Sequence, residues 1–231
     1  DLRFWRMVLA SADGLIGKMI AVAAIRNHFI LANLALHELP AANVTEAVPA
    51  EWQRPLSDEE RSMWRAMAGE YQFAKRLLRE ARVQPEDGDE AGGIAVLDRA
   101  LASFRMNVAF PRLLNESART NACVARSFEV PLDQYLAVRE AIEDPEGDPF
   151  EVRQMADYAI RSANVEAMRR VSLLTAELRS RAVPASAVAS ELPLSRWRNP
   201  YDGKPFEWSA ANQAIEFESL GKPRYGMALF Y

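Results

Sequence analysis

The side chains best suited to chemistry are two histidines, one cysteine and a run of carboxylates: His28, His37, Cys123, and Asp144, Glu146, Asp148 and Glu151. Two histidines hold one metal when their rings share a helix face, as they do at a spacing of four. His28 and His37 are nine residues apart, half a turn out of phase at about 100° per residue, and so do not clamp one ion. His28 reads as a hydrogen-bonded interior residue. His37 reads as a side chain near a helix C-terminus, where a protonated ring meets the dipole favourably. Cys123 needs a nearby base to act as a nucleophile. Its neighbours Ala122, Val124 and Ala125 suit a buried, inert thiol, and no Gly-x-Ser-x-Gly elbow occurs.

The carboxylate run alternates as a calcium loop does, but Pro145 and Pro149 interrupt it and Gly147 is displaced. A turn followed by a helix start explains it better, with Asp148 as N-cap, Pro149 at the first helical position and Glu151 completing Asp-x-x-Glu. The acidic stretch at 86–90 reads as a solvated turn. There is no Walker loop, dinucleotide fingerprint, His-Glu-x-x-His or paired-cysteine motif. The sequence therefore assigns no catalytic residue, no metal ligand and no cofactor.

Positioning elements are mostly helical. Residues 2–12 and 14–38 read as two helices meeting near Gly14, the second apolar around most of its girth and expected at the middle of the domain. Lys18, Arg26, Asn27, His28 and Asn33 interrupt its apolar run, each charge costing about 2.5–3.5 kcal/mol near a bilayer centre, so a core helix is expected rather than a membrane span. A connector over 40–56 carries Pro40, Pro49 and Pro55. Ser57 and Glu60 have capping-box spacing and open a helix expected over 57–82, with Met63, Met67, Tyr71, Ala74, Leu78 and Ala81 on one face. Shorter helices are expected over 94–104, 111–128 and 131–143. The stripe Val152, Ala156, Ala159, Ala163, Ala167, Val171, Leu174, Leu178 marks a long helix from Asp148 towards Pro184.

Only the end of the chain alternates with period two. In Asn199-Pro200-Tyr201-Asp202-Gly203-Lys204-Pro205-Phe206-Glu207-Trp208, Pro200 pre-sets a turn and Gly203 tolerates a left-handed position. Phe206 and Trp208, then Ile215 and Phe217, alternate with glutamates as a hairpin does. Met227 to Tyr231 is too apolar for a solvated end and is expected to pack, as a third strand beside Phe217 or against the helices. The fold class is thus mainly α, a multi-helix body over 1–193 with a small antiparallel hairpin or three-stranded sheet over 194–231, forming one cooperative unit. Trp197, Tyr201, Phe206, Trp208, Phe230 and Tyr231 gather at that hairpin. They either seal the helical body or form a partner-binding edge.

Composition bounds the rest. The 231 residues are 49% hydrophobic and 26% charged with a net charge of −4, which fits a globular protein and gives no overall basic field for nucleic acid. With a single cysteine no intrachain disulfide forms. The chain opens at Asp1-Leu2-Arg3-Phe4-Trp5 inside a helical pattern, as expected of a shortened chain or one whose leader or anchor has been removed.

The order of a long helix, a short Pro-containing helix and Asn-Pro-Tyr-Asp-Gly-Lys-Pro-Phe-x-Trp resembles the C-terminal part of uncharacterised, helix-rich periplasmic proteins of Gram-negative bacteria. These are held by one N-terminal span. Leu2-Arg3-Phe4-Trp5-Arg6-Met7-Val8-Leu9 and Leu15-Ile16-Gly17-Lys18-Met19-Ile20 resemble an internal segment of the same group. The tail also resembles pseudopilins, with Asn199 where their turn has Asp. The first resemblance implies a non-catalytic, extracytoplasmic binding or scaffold domain of a protein anchored in the inner membrane, with a protein partner or a second copy at the hairpin edge. The alternatives are a hydrolase with a dispersed active site and a pseudopilin-like secretion component.

Overall fold

The computed structural model describes residues 1–83, 101–143, 149–217, 219–220 and 227–231. Nine α-helices lie among them: α1 (Leu2–Ser11), α2 (Leu15–His37), α3 (Ala41–Ala47), α4 (Asp58–Arg61), α5 (Trp64–Val83), α6 (Phe110–Ser127), α7 (Tyr135–Glu143), α8 (Pro149–Ser180) and α9 (Ala185–Glu191). Three short strands follow, β1 (Glu207–Ser209), β2 (Ala214–Phe217) and β3 (Met227–Phe230), in one antiparallel sheet of order β1-β2-β3. The mainly α fold with a small C-terminal sheet is the one the periodicity predicts.

The helix at the centre is α8, not the helix over 14–38 that apolar content singles out. Its 32 residues give it a length of about 48 Å. From Ser162 to Arg169 and again from Val171 to Thr175 every residue is buried, so neighbours cover it on all sides. α2, α3, α6, α7 and the sheet all pack on it. Hydropathy misplaces the centre because α8 carries Glu166, Arg169 and Arg179, buried charges that the fold satisfies internally. On α2, by contrast, Lys18, Ala21, Val22, Ile25, Phe29, Asn33 and Leu36 face inward, while Ile16, Ile20, Leu31 and Leu34 stay exposed.

Local rules explain most boundaries. Ser57 and Glu60 form the expected capping box, Ser57 N–H donating to Glu60 Oε2 at 2.7 Å and Glu60 N–H to Ser57 Oγ at 3.3 Å. The helix they start stops at Arg61, however. Ser62 is extended (ψ 135°) and its Oγ accepts from Trp64 N–H at 3.2 Å, so the expected 57–82 helix is two helices with a corner between them. The corner drives Met63 into the core. The 40–56 connector holds more helix than expected, because Pro40 and Pro49 each precede a short turn that buries Val44 or Trp52. Residues 101–104 are helical and continue through a π-helical turn at Arg105–Ala109 into α6. α8 begins at Pro149 as expected and is unbroken past Ser162, Ala163 and Asn164. The carboxylates Asp144, Glu146 and Asp148 and the acidic stretch at 86–90 lie outside the described residues, as does the side chain of Glu151.

Buried charges pin the non-helical segments to this frame. Arg6 makes a bidentate pair with Glu60 (2.6 and 2.7 Å), and donates to the carbonyls of Arg54 (2.7 Å) and Pro55 (2.6 Å). Lys18 Nζ donates to Leu9 O at 2.8 Å and Glu60 O at 3.1 Å. Arg169 clasps Glu166 at 2.6 and 2.8 Å and donates to Trp52 O at 2.7 Å; Glu166 in turn accepts from Leu56 N–H at 3.2 Å. Burial pushes the Glu166 carboxyl up, but Arg169 and Arg170 outweigh it and hold the group below its usual range. Gly69 lets α5 cross the α1–α2 turn: a Cβ there would sit 1.5 Å from Asp13 O. Next to it, Glu70 Oε1 accepts from Leu15 N–H at 2.8 Å and caps α2 from the neighbouring helix.

Candidate functional site

The aromatic cluster begins with the turn that delivers it. Asn199 closes the turn through three bonds, its Oδ1 accepting from Tyr201 N–H (3.1 Å), its O from Gly203 N–H (3.0 Å), and its N–H donating to Lys204 O (3.0 Å). Gly203 takes the left-handed conformation expected of it (φ 68°). Tyr201 is thereby held over α8, where its hydroxyl donates to Asn164 Oδ1 at 2.6 Å. Asn164 Nδ2 donates onward to Ser219 Oγ at 2.6 Å. Burial, reinforced by the neighbouring Tyr135 and the Glu166 charge, raises the Tyr201 hydroxyl well above its ordinary pKa, so it is a proton donor to Asn164 rather than an acid. Phe206 is also buried and meets Phe217 edge to face.

The remaining rings are only partly covered. Trp197 Nε1–H donates to Glu177 Oε2 at 2.9 Å, with the Arg169 and Arg196 guanidiniums 5.8 and 4.7 Å from its ring. Trp208 meets Tyr231 at right angles, centroids 6.0 Å apart. Tyr231 donates its hydroxyl to Val183 O at 2.6 Å and its N–H to Gln213 O at 2.9 Å. The chain end is therefore the third strand, with Met227 opposite Phe217 and Phe230 opposite Ala214. The side chain of Phe230 lies outside the described residues. Of the six rings expected here, Tyr201 and Phe206 serve the interior, and Trp197, Trp208 and Tyr231 retain partial exposure.

Among the described residues, His28, His37 and Cys123 do not converge on one site. His28 Nδ1 lies 3.4 Å from Asp1 Oδ2, a carboxylate–histidine contact, but its Nε2 accepts the Trp52 indole N–H at 3.0 Å. A ring nitrogen occupied in that way cannot take a proton from a nucleophile. Burial lowers the His28 pKa. His37 Nδ1 accepts from Arg179 Nη2 at 3.2 Å, since a guanidinium only donates. Cys123 is exposed, which corrects the expectation of a buried thiol: α6 turns Val124 and Ala125 inward instead. Among the described residues no three His, Cys, Asp or Glu side chains gather as a metal site would require.

Sequence reasoning missed an exposed apolar surface on a pair of packed helices. α5 and the helix leading into α6 pack side by side as an arm. Phe73 and Leu77 on α5, and Leu101, Phe104, Val108, Phe110 and Leu113 opposite, are all exposed. Basic side chains accompany them: Lys75, Arg76, Arg79, Arg105, Arg112 and Arg119, against the acids Glu70, Glu80 and Glu116. The signal was present in the sequence as the spacing of Leu101, Phe104 and Val108, which core and surface stripes share. α2 is the one helix among the described residues long and apolar enough to cross a membrane, and a third of its apolar stretch is buried within the protein. No family model, no curated protein and no solved structure matches the chain.

Proposed function

We propose that the chain is a non-catalytic, extracytoplasmic binding or scaffold domain of a larger membrane-anchored protein, and that the arm of α5 and α6 docks its partner. One observation carries this reading: seven large apolar side chains stand exposed on the arm, with Lys75, Arg76, Arg79, Arg105, Arg112 and Arg119 outnumbering the acids Glu70, Glu80 and Glu116 beside them. Clustered exposed apolar surface marks interaction sites in soluble proteins. The excess of arginine selects the partner's charge, so the occupant is a protein presenting an acidic, apolar helix. The resemblance of the sequence to periplasmic proteins held by one upstream span supports the compartment and the anchoring.

The test is charge reversal on the arm. The partner recovered with the wild-type protein is identified by mass, purified, and titrated against wild type and the triple variant Arg105→Glu, Arg112→Glu, Arg119→Glu. Binding that weakens at least about tenfold in the variant, and weakens with added salt in the wild type, supports the reading. Equal binding by both, or preferential binding of the wild type to anionic vesicles over any protein, contradicts it.

A further inference from the structure

The solvent face of α2 carries no charged side chain between Ile16 and Leu34. Ile16, Ile20, Ala23, Asn27, Leu31 and Leu34 stand exposed along it, Ile16 to 76% and Leu31 to 65%. A surface helix ordinarily turns its charges outward. α2 turns them inward: Lys18 is buried on two carbonyls, and Arg26 is half-buried. The spacing of the face is that of a helix pair. Ile16, Ile20, Ala23, Asn27, Ile30 and Leu34 follow one another at four and three residues in alternation, as in a coiled-coil seam. Asn27, the polar member of the series, sits near its middle, where an asparagine fixes the register and number of paired helices.

We infer that this face closes on the same face of a second copy of the chain, the two α2 helices running antiparallel about a two-fold axis beside Ile25. That register sets Ile16 opposite Leu34 of the second copy, Ile20 opposite Ile30, and Ala23 opposite Asn27, so the polar side chain meets the smallest one. It also brings Glu38 to the N-terminal end of the other α2, whose Gly14 cap has no side chain and whose first turn has no acid. The face is about 34 Å long and covers about a third of a cylinder about 14 Å across, water shell included, so the pair buries about 1,000 Å2. That suffices for a weak, specific association rather than an obligate one. A bilayer fits the face less well. A helix lying in a bilayer interface keeps a cationic polar side for the headgroups, whereas the polar side of α2 is packed in the core and Asn27 stands at the middle of the face. The inference does not rest on the arm or on its partner.

Sedimentation equilibrium of the wild-type protein from about 2 to about 200 µM tests it, and the expected result is a monomer–dimer equilibrium within that range. Ile20→Lys with Leu34→Lys should weaken the dimer at least about tenfold; both positions are exposed, so the circular dichroism of the dilute variant should match wild type. The register is read by crosslinking in a Cys123→Ser background. Ile16→Cys with Leu34→Cys should give a disulfide-linked dimer, and Ile16→Cys alone should not, because the antiparallel pair holds the two residue-16 positions about 27 Å apart. A wild type that stays monomeric to about 200 µM, or a dimer that survives both lysines, overturns the inference. Ready crosslinking of Ile16→Cys alone overturns the antiparallel pairing. Monomeric protein that binds phosphatidylcholine vesicles through this face assigns it to lipid and overturns the inference as well.

Discussion

Replacing Lys18 with Met should abolish a rise in stability that the wild-type protein shows under mildly alkaline conditions. Lys18 is buried between α1, α2 and the capping box, with only two carbonyls as hydrogen-bond partners. Burial lowers its pKa from 10.5 to about 8, the Glu60 charge opposing the shift only in part. In the unfolded chain the amine keeps its proton up to its ordinary pKa, whereas in the fold it gives the proton up from about 8. Between those values the unfolded state binds more protons, so unfolding becomes harder as pH rises. From about pH 7.5 to about pH 9.5 the two values give roughly 1.8 kcal/mol. With a urea dependence of about 2–3 kcal/mol per M, the midpoint should move up by roughly 0.6–0.9 M. The buried hydroxyls of Tyr135 and Tyr201 have raised pKa values and act mainly above this window, in the opposite direction. Urea denaturation followed by circular dichroism at both pH values reads the effect. A flat profile in Lys18→Met beside a rising one in the wild type supports the reasoning. The same rise in both, or none in the wild type, refutes it.

Three further outcomes follow from the packing. Tyr201→Phe leaves Asn164 Oδ1 buried without its donor and should cost about 1–3 kcal/mol in chemical denaturation; a change under about 0.5 kcal/mol would show the bond to be idle. Gly69→Ala forces apart the α1–α2 turn and α5 and should destabilise by at least about 1–3 kcal/mol, with the loss read as a lower melting temperature; wild-type melting would mean the crossing is not this close. Truncation after Gly226 removes β3 and the Tyr231–Val183 bond and should lower the melting point of the whole protein in a single transition; unchanged melting would show the tail to be an appendage rather than part of one cooperative unit.

What the sequence disclosed was what is encoded over a few residues. The Ser57–Glu60 box, the start of α8 at Pro149, the left-handed Gly203 and the apolar end that becomes β3 depend on near neighbours or on period-two alternation. Features decided by distant partners were hidden. Nothing near Arg6, Glu166 or Arg169 in the sequence marks them as interior, yet each is buried and holds a carbonyl, a main-chain N–H or an opposite charge from a distant segment. The same blindness put the centre of the domain at α2, since an apolar stripe looks alike whether it faces α8 or solvent. Spacing named Trp197, Tyr201, Phe206 and Trp208 together, but it could not divide them between interior and surface. That division is set by Asn164 and Glu177 on α8.

The claim that the arm is the docking surface is tested most directly by photo-crosslinking in the cells that make the protein. A photoreactive amino acid replaces Phe104 on the arm in one strain and Leu194 in another; the two side chains are 57% and 79% exposed and both apolar. The account predicts a protein adduct from position 104 whose crosslinked segment, identified by mass, is an acidic, apolar helix, and none from position 194. Adducts of equal yield from both positions, or lipid adducts alone from position 104, would contradict it.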